Sequence, residues 1–171
     1  EFLIRKRPGL YAFTDPGYRH SHSESLSVKE KELLNRHIIK ILLINIQDSD
    51  RKAKALSHHL LQLTNDYDGC LWLLKAGDSY LRGFKNEMAL CCYRKALEDL
   101  LLQRGQEADE LFTETAVKYS KVSTARRDTT EVLSILREAM ERARKWEDKC
   151  SQSLLEMHMA KNEWLRGQYD N

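Results

Sequence analysis

Proline is almost missing from this chain: only Pro8 and Pro16 occur, and beyond residue 16 nothing locks φ or removes an amide donor. Glycine is sparse as well, at seven of 171 residues, and Gly69, Gly83 and Gly105 fall between apolar periodic stretches, with Gly167 near the end. With so few breakers, everything after the first segment reads as helix or short turn. Long apolar runs are lacking too. The longest, Ile38 to Ile46, is interrupted by Lys40 and Asn45 and falls far short of the ~20 residues a membrane span needs, so no span is predicted. Charge of one sign is also lacking. Lys plus Arg number 28 against 26 Asp plus Glu, and mean hydropathy is -0.61. That balance predicts a soluble, salt-laced surface without the basic face a nucleic-acid partner would require. The only dense basic run is Ile4 to Pro8.

Cysteine supplies no framework. Cys70, Cys91, Cys92 and Cys150 contain no Cys-x-x-Cys spacing, and the adjacent pair would point about 100° apart on a helix. They read as thiols of a reducing, intracellular compartment, cytoplasmic or nuclear. His20, His22, His58 and His59 build no Cys/His constellation, so no metal is expected. Phosphate-cradling glycine loops and His-Glu-x-x-His are absent. Asp66, Asp68 and Asp78 read as caps, and Cys92, beside Tyr93 in an apolar stripe, as an inert core thiol. No enzyme activity and no cofactor are expected.

What the chain does contain is helix signal. Residues 1 to 26 hold both prolines, Gly9, Gly17 and a polar serine-rich stretch, and are expected to form a flexible tail ahead of a single all-helical domain over 27 to 168. Ser27 to Glu30 is a capping box that starts a helix running to about Gln47. Asp48 to Asp50 offers a break and a new cap, followed by an apolar face of Ala53, Leu56, Leu60 and Leu63. Further helices are predicted over about Cys70 to Leu81 and Glu87 to Gln103, and from Gly105 onward through Ala108, Leu111, Phe112, Thr115, Tyr119 and Val122. Asp128 to Glu131 either begins another helix or is traversed by a continuous one.

From Val132 the pattern becomes a heptad seam: Leu136, Ala139, Ala143, Trp146, Cys150, Ser153, Met157, Ala160 and Trp164 alternate at four and three residues. It predicts a long C-terminal helix with one face against a partner. Its small residues suit packing inside a bundle, and its tryptophans suit an interface.

Residues 72 to 97 carry small and aromatic positions Gly77, Tyr80, Ala89, Tyr93 and Ala96 in the register of a tetratricopeptide hairpin, which the stretch resembles. Gly77 and Ala89 would let two antiparallel helices approach closely around the rings. Trp72 stands one residue early for that pattern, and steps of ~34 residues in either direction find no second copy, so no repeat array is predicted. Taken to residue 127, the pattern is similar to the microtubule-interacting-and-trafficking (MIT) domain: Lys75-Ala76, Gly83, Ala89, Tyr93, Ala96, then Tyr119 with Ala125-Arg126. The fold expected is therefore an all-α multi-helix bundle with a tetratricopeptide- or MIT-like hairpin at about 70 to 127.

That resemblance implies an adaptor or scaffold module that captures a partner peptide or helix in a groove between helices. Lys75, Arg82, Lys85, Lys118 and Lys121 are the expected rim, which would favour an acidic-apolar peptide. The alternative is homodimerisation through the distal last helix, with Trp146, Cys150, Met157 and Trp164 as the seam.

Overall fold

Ser27 closes the capping box its spacing predicts: the Glu30 carboxylate accepts the Ser27 amide at 2.8 Å, and the Ser27 hydroxyl accepts the Glu30 amide at 3.3 Å. Helix α1, Val28–Asn45, follows. In the computed structural model residues 3–7, 10–13, 25–123 and 129–169 are described, with side chains described between 25 and 167 of those. Ala125, Arg126 and Asp128, together with Pro8, Pro16, His20 and His22, lie outside the described residues. Within the segment expected to be a flexible tail, Leu3–Arg7 (β1) and Leu10–Phe13 (β2) pair as an antiparallel hairpin, Leu3 opposite Phe13 and Arg5 opposite Tyr11. Ile4, Tyr11 and Phe13 are residue types that favour such pairing.

The rest is helical. Asp48 accepts the Arg51 amide at 2.6 Å and caps α2, Ser49–Leu60. Asn65 then turns left-handed, at φ 54°, and its amide reaches the Asp99 carboxylate at 3.1 Å. A single 3-10 turn, Tyr67–Gly69, leads into α3, Cys70–Arg82. Past Gly83 the Lys85 amide returns to the Tyr80 carbonyl at 2.9 Å, closing α3 before α4, Asn86–Leu101. Gly105 at φ 123° adopts a conformation only glycine takes readily, and α5, Gln106–Ser123, starts there. Helix α6, Thr129–Lys145, packs back on α5, so the two are separate helices.

Each helix packs chiefly on its successor, from α1 on α2 through α6 on α7, with α5 also touching α7 (Lys149–Tyr169). Short connections make neighbours antiparallel, and the result is an all-helical stack of hairpins. Tyr93 is wholly buried against Gly77, where a Cβ would come within 2.3 Å of its ring. Leu56, Leu73, Leu100, Phe112 and Leu136 extend the same core along the stack.

The long seamed helix is corrected by the structure. Glu147 enters the left-handed region at φ 55°, the Asp148 amide bonds back to Ala143 at 3.0 Å, and the Asp148 carboxylate caps the Ser151 amide at 3.1 Å. These local bonds end α6 and begin α7, which folds back onto α6. The reversal changes the register of the buried face. Val132, Leu136, Ala139 and Ala143 are in the core as the heptads predict, but α7 buries Leu155, His158 and Asn162. Cys150, Ser153, Met157, Ala160 and Trp164 therefore stand on its outer face.

Asp109 and Arg142, almost fully buried, bind three helix ends. The Arg142 guanidinium donates to Asp109 at 3.2 Å and to the Leu100 and Leu101 carbonyls at 3.3 and 3.1 Å, and lies 4.1 Å from the centre of the Phe112 ring. The other Asp109 oxygen accepts from Trp146 Nε1 at 2.8 Å and Lys145 at 3.1 Å. Burial pushes the Asp109 carboxyl up, yet the Trp146 indole, Lys145 and Arg142 outweigh it and hold the group below its usual range.

Two histidines, His158 buried and His59 half-buried, have depressed pKa values. Ser120 Oγ donates to the Val117 carbonyl at 2.8 Å, so in its 3.0 Å bond with His158 the ring Nδ1–H is the donor. His158 Nε2 is left buried without a partner. Burial, with Lys121 and Lys161 adding their charges, depresses the His158 pKa, and burial with neighbouring His58 depresses that of His59. His59 bonds through Nδ1 to Asn35 Oδ1 at 2.9 Å.

Replacing Asp109 by Ala should cost about 3–5 kcal/mol in urea unfolding, the amount expected when a buried charge loses its partner. A double Asp109→Leu, Arg142→Met variant should regain much of that, and a loss under about 1 kcal/mol for the single variant would contradict the assignment. The depressed histidines set the sign of a pH effect. Both states are neutral above the unfolded pKa of about 6.5, whereas below it the unfolded chain takes up protons first. Stability should therefore be level near pH 7.5 and fall toward pH 5.5. His158→Gln should shrink that drop, and His59→Gln combined with it should shrink it further. Equal drops in all three proteins would exclude the histidines as the cause.

Candidate functional site

Helix α1 is rich in leucine and isoleucine yet buries none of its residues. Ile39 and Leu42 lean on the core, while Val28, Leu34, Ile41 and Ile44 face outward. Between α1 and α3 an open hollow of about 400 Å³ has Leu56, Leu60 and Leu63 as its floor. Leu33, Ile39 and Leu43 form one wall, and Trp72 with Gly69 the other. Gly69 is required here, since a Cβ would sit 2.5 Å from Leu60 Cδ2 and 2.6 Å from Asp66 Oδ2.

Charges define the rim. Arg36 bridges from α1 to Asp66 at 3.1 Å and to Glu32 at 2.9 Å, and the Glu32 and Asp66 carboxylates raise its pKa further. His37 and Lys40 stand beside it. The Trp72 ring lies between two ammonium groups, Lys75 at 4.9 Å and Lys52 at 5.7 Å from its centre.

A second hollow, about 450 Å³, adjoins the first at Asp68, which lines both. It lies between α3 and α5. Tyr67, Leu71 and Leu111 supply its apolar surface, and Glu107, Glu110 and Glu114 its charge. The α5 members occur at i, i+3, i+4 and i+7, one face of a helix. Gln106 donates to Glu110 at 2.9 Å, and Lys118 pairs with Glu114 at 2.9 Å. Among the described residues no group of three or more His, Cys, Asp or Glu could hold a metal ion.

The five cations expected to form a rim are distributed otherwise. Lys75 stacks on Trp72. Arg82 pairs with Asp50, and Lys118 with Asp78 at 2.6 Å as well as with Glu114. Lys85 sits at the start of α4, and Lys121 is exposed on α5. None of the five lines either hollow. The seam residues are separated too. Trp146 is tied to Asp109 beneath the Lys145 ammonium, 4.7 Å from the ring centre. Cys150, Met157 and Trp164 share the outer face of α7 with Leu154.

The acidic face of α5 was legible as Glu107, Glu110, Leu111 and Glu114 at helical spacing, but nothing in the sequence pairs it with Asp68 and Leu71 across a turn. Compared with known proteins, the chain matches no family model, no curated protein and no solved structure.

The thiols divide into two classes. Burial, joined at Cys70 by the Asp99 and Asp66 carboxylates, pushes Cys70 and Cys92 up to about 12, whereas Cys91 and Cys150 are exposed. Cys91 and Cys150 should react with Ellman's reagent in the native protein at pH 8, and Cys70 and Cys92 only after unfolding. Mass mapping of labelled peptides reads this directly. Prompt native labelling of Cys92 would contradict its core position.

Proposed function

We propose that this chain is a non-catalytic protein-interaction module, holding a helix or extended segment of another protein in the trough between α1 and α3. One observation carries the reading: the hollow between α1 and α3 is open, and the exposed Leu33 and Leu43 and the half-buried Ile39 and Trp72 face into it above the buried Leu56, Leu60 and Leu63. Burying a partner's apolar side chain there stabilises by about 25 cal/mol per Å² removed from water, and Arg36, His37 and Lys40 can orient it from the rim. The resemblance of residues 70 to 127 to tetratricopeptide and MIT domains implies the same class of function, capture between helices, although α1 and α2 of this trough lie outside that stretch.

A second reading, self-association through α7, rests on the outward Trp164 and Met157, 62% and 57% exposed, with Leu154 beside them. Light scattering after size exclusion separates the two readings: a dimer that Trp164→Asp dissociates with helicity retained supports self-association.

For the trough, the probe is a displayed library of 15-residue segments selected on the whole chain. Leu33→Glu with Leu43→Glu should weaken the selected segments at least tenfold, about 1.4 kcal/mol, while helical content is unchanged because both side chains are exposed. Retained affinity in that variant would remove the reading.

A further inference from the structure

We infer that the segment held in the trough is apolar with a cationic end, and that lysine or arginine at that end sits over α5. This rests on the trough reading above and specifies its ligand. The two partly apolar hollows, one lined by Leu33, Leu43 and Trp72 and the other by Leu71, Tyr67 and Leu111, adjoin at Asp68, which borders both. Its charge is not uniform. At the α1 end, His37 and Lys40 accompany Arg36, whose charge Glu32 and Asp66 already answer.

At the α5 end the wall is acidic throughout. Asp68 and Glu107 make no ion pair among the described residues, and Glu110 bonds only to the neutral Gln106 amide. Only Glu114 is neutralised, by Lys118. No lysine or arginine lines that hollow. A concave, partly apolar surface carrying three uncompensated carboxylates concentrates negative potential, and it attracts a cation whose stem can lie on Leu71 and Leu111. The seven steps from Glu107 to Glu114 extend roughly 10 Å along α5, so two cations one helical turn apart on the ligand would each meet a carboxylate. The expected ligand is therefore opposite in sign to the acidic peptide that Lys75, Arg82, Lys85, Lys118 and Lys121 suggest when read from sequence.

The test selects random displayed 12-residue peptides in parallel on the whole wild-type chain and on Glu107→Lys, Glu110→Lys. Glu107→Gln, Glu110→Gln is the milder companion, each variant being checked for an unchanged helical spectrum. Wild type should enrich peptides with aliphatic or aromatic residues next to Lys or Arg, and their affinity should fall at least tenfold in the Lys variant and several-fold in the Gln variant. Selection on the Lys variant should turn toward Asp and Glu. Raising salt from 50 to 300 mM should weaken wild-type binding and leave the Gln variant nearly unaffected. Peptides lost in Leu33→Glu, Leu43→Glu but free of basic bias would overturn this inference and leave the trough standing. Peptides indifferent to both sets of substitutions, or no enriched peptides at all, would overturn both.

Discussion

A single buried guanidinium holds the middle of this molecule together. Arg142 projects from α6 into the point where α4 ends and α5 begins; its terminal nitrogens donate to the Leu100 and Leu101 carbonyls and the Asp109 carboxylate, and its Nε to Glu138 on its own helix. The end of one helix offers carbonyls with lone pairs to spare, the first turn of the next a carboxylate, and one rigid fork serves both. Phe112 covers its face, and Trp146 and Lys145 close on the other Asp109 oxygen, so the α6 terminus is drawn into the same knot. Asp109 points inward between Glu107 and Glu110. The knot therefore also sets how the first turn of α5 is presented, and with it the acidic wall of the second hollow.

A stack in which each helix rests chiefly on its neighbour has a firm middle and open ends. Close approach is greatest at α3 and α4, where Tyr93 lies directly on Gly77. At one end α1 rests chiefly on α2, with Ile39 and Leu42 half-buried, and a gap is left between α1 and α3 above the α2 leucines. At the other end α7 docks with Leu155, His158 and Asn162, two polar groups for one apolar, and keeps Met157 and Trp164 outside. The trough is thus a consequence of how α1 is attached. A helix seated deeper in the core would fill it.

Electrostatic pairing decides which charges remain available to a ligand. Lys118 is spent on Asp78 and Glu114, Arg82 on Asp50, and Arg94 on Glu131 and the Tyr119 hydroxyl. Most of these partners lie 30 or more residues apart, so net charge near zero conceals where the imbalance falls. It falls on Asp68, Glu107 and Glu110, which meet across a turn and a helix start.

The helices from α1 to α5 and their limits are determined by the sequence alone, because caps, glycines and apolar periodicity act over three or four residues: Ser27 with Glu30, Asp48 with Arg51, and Gly105 in its left-handed turn all do locally what their positions announce. The core faces of α2, α4 and α5 are equally readable from spacing. Tertiary structure alone decided the rest. Heptad spacing through residues 132 to 164 is compatible with one straight helix, and only the fold-back of α7, fixed by Glu147 and Asp148, reverses which of its residues are buried. The sign of the groove was undecidable for the same reason. A lysine and an aspartate distant in the chain neutralise each other only once packing brings α3 near α5, and a row of glutamates becomes the wall of a hollow only when a neighbouring segment faces it.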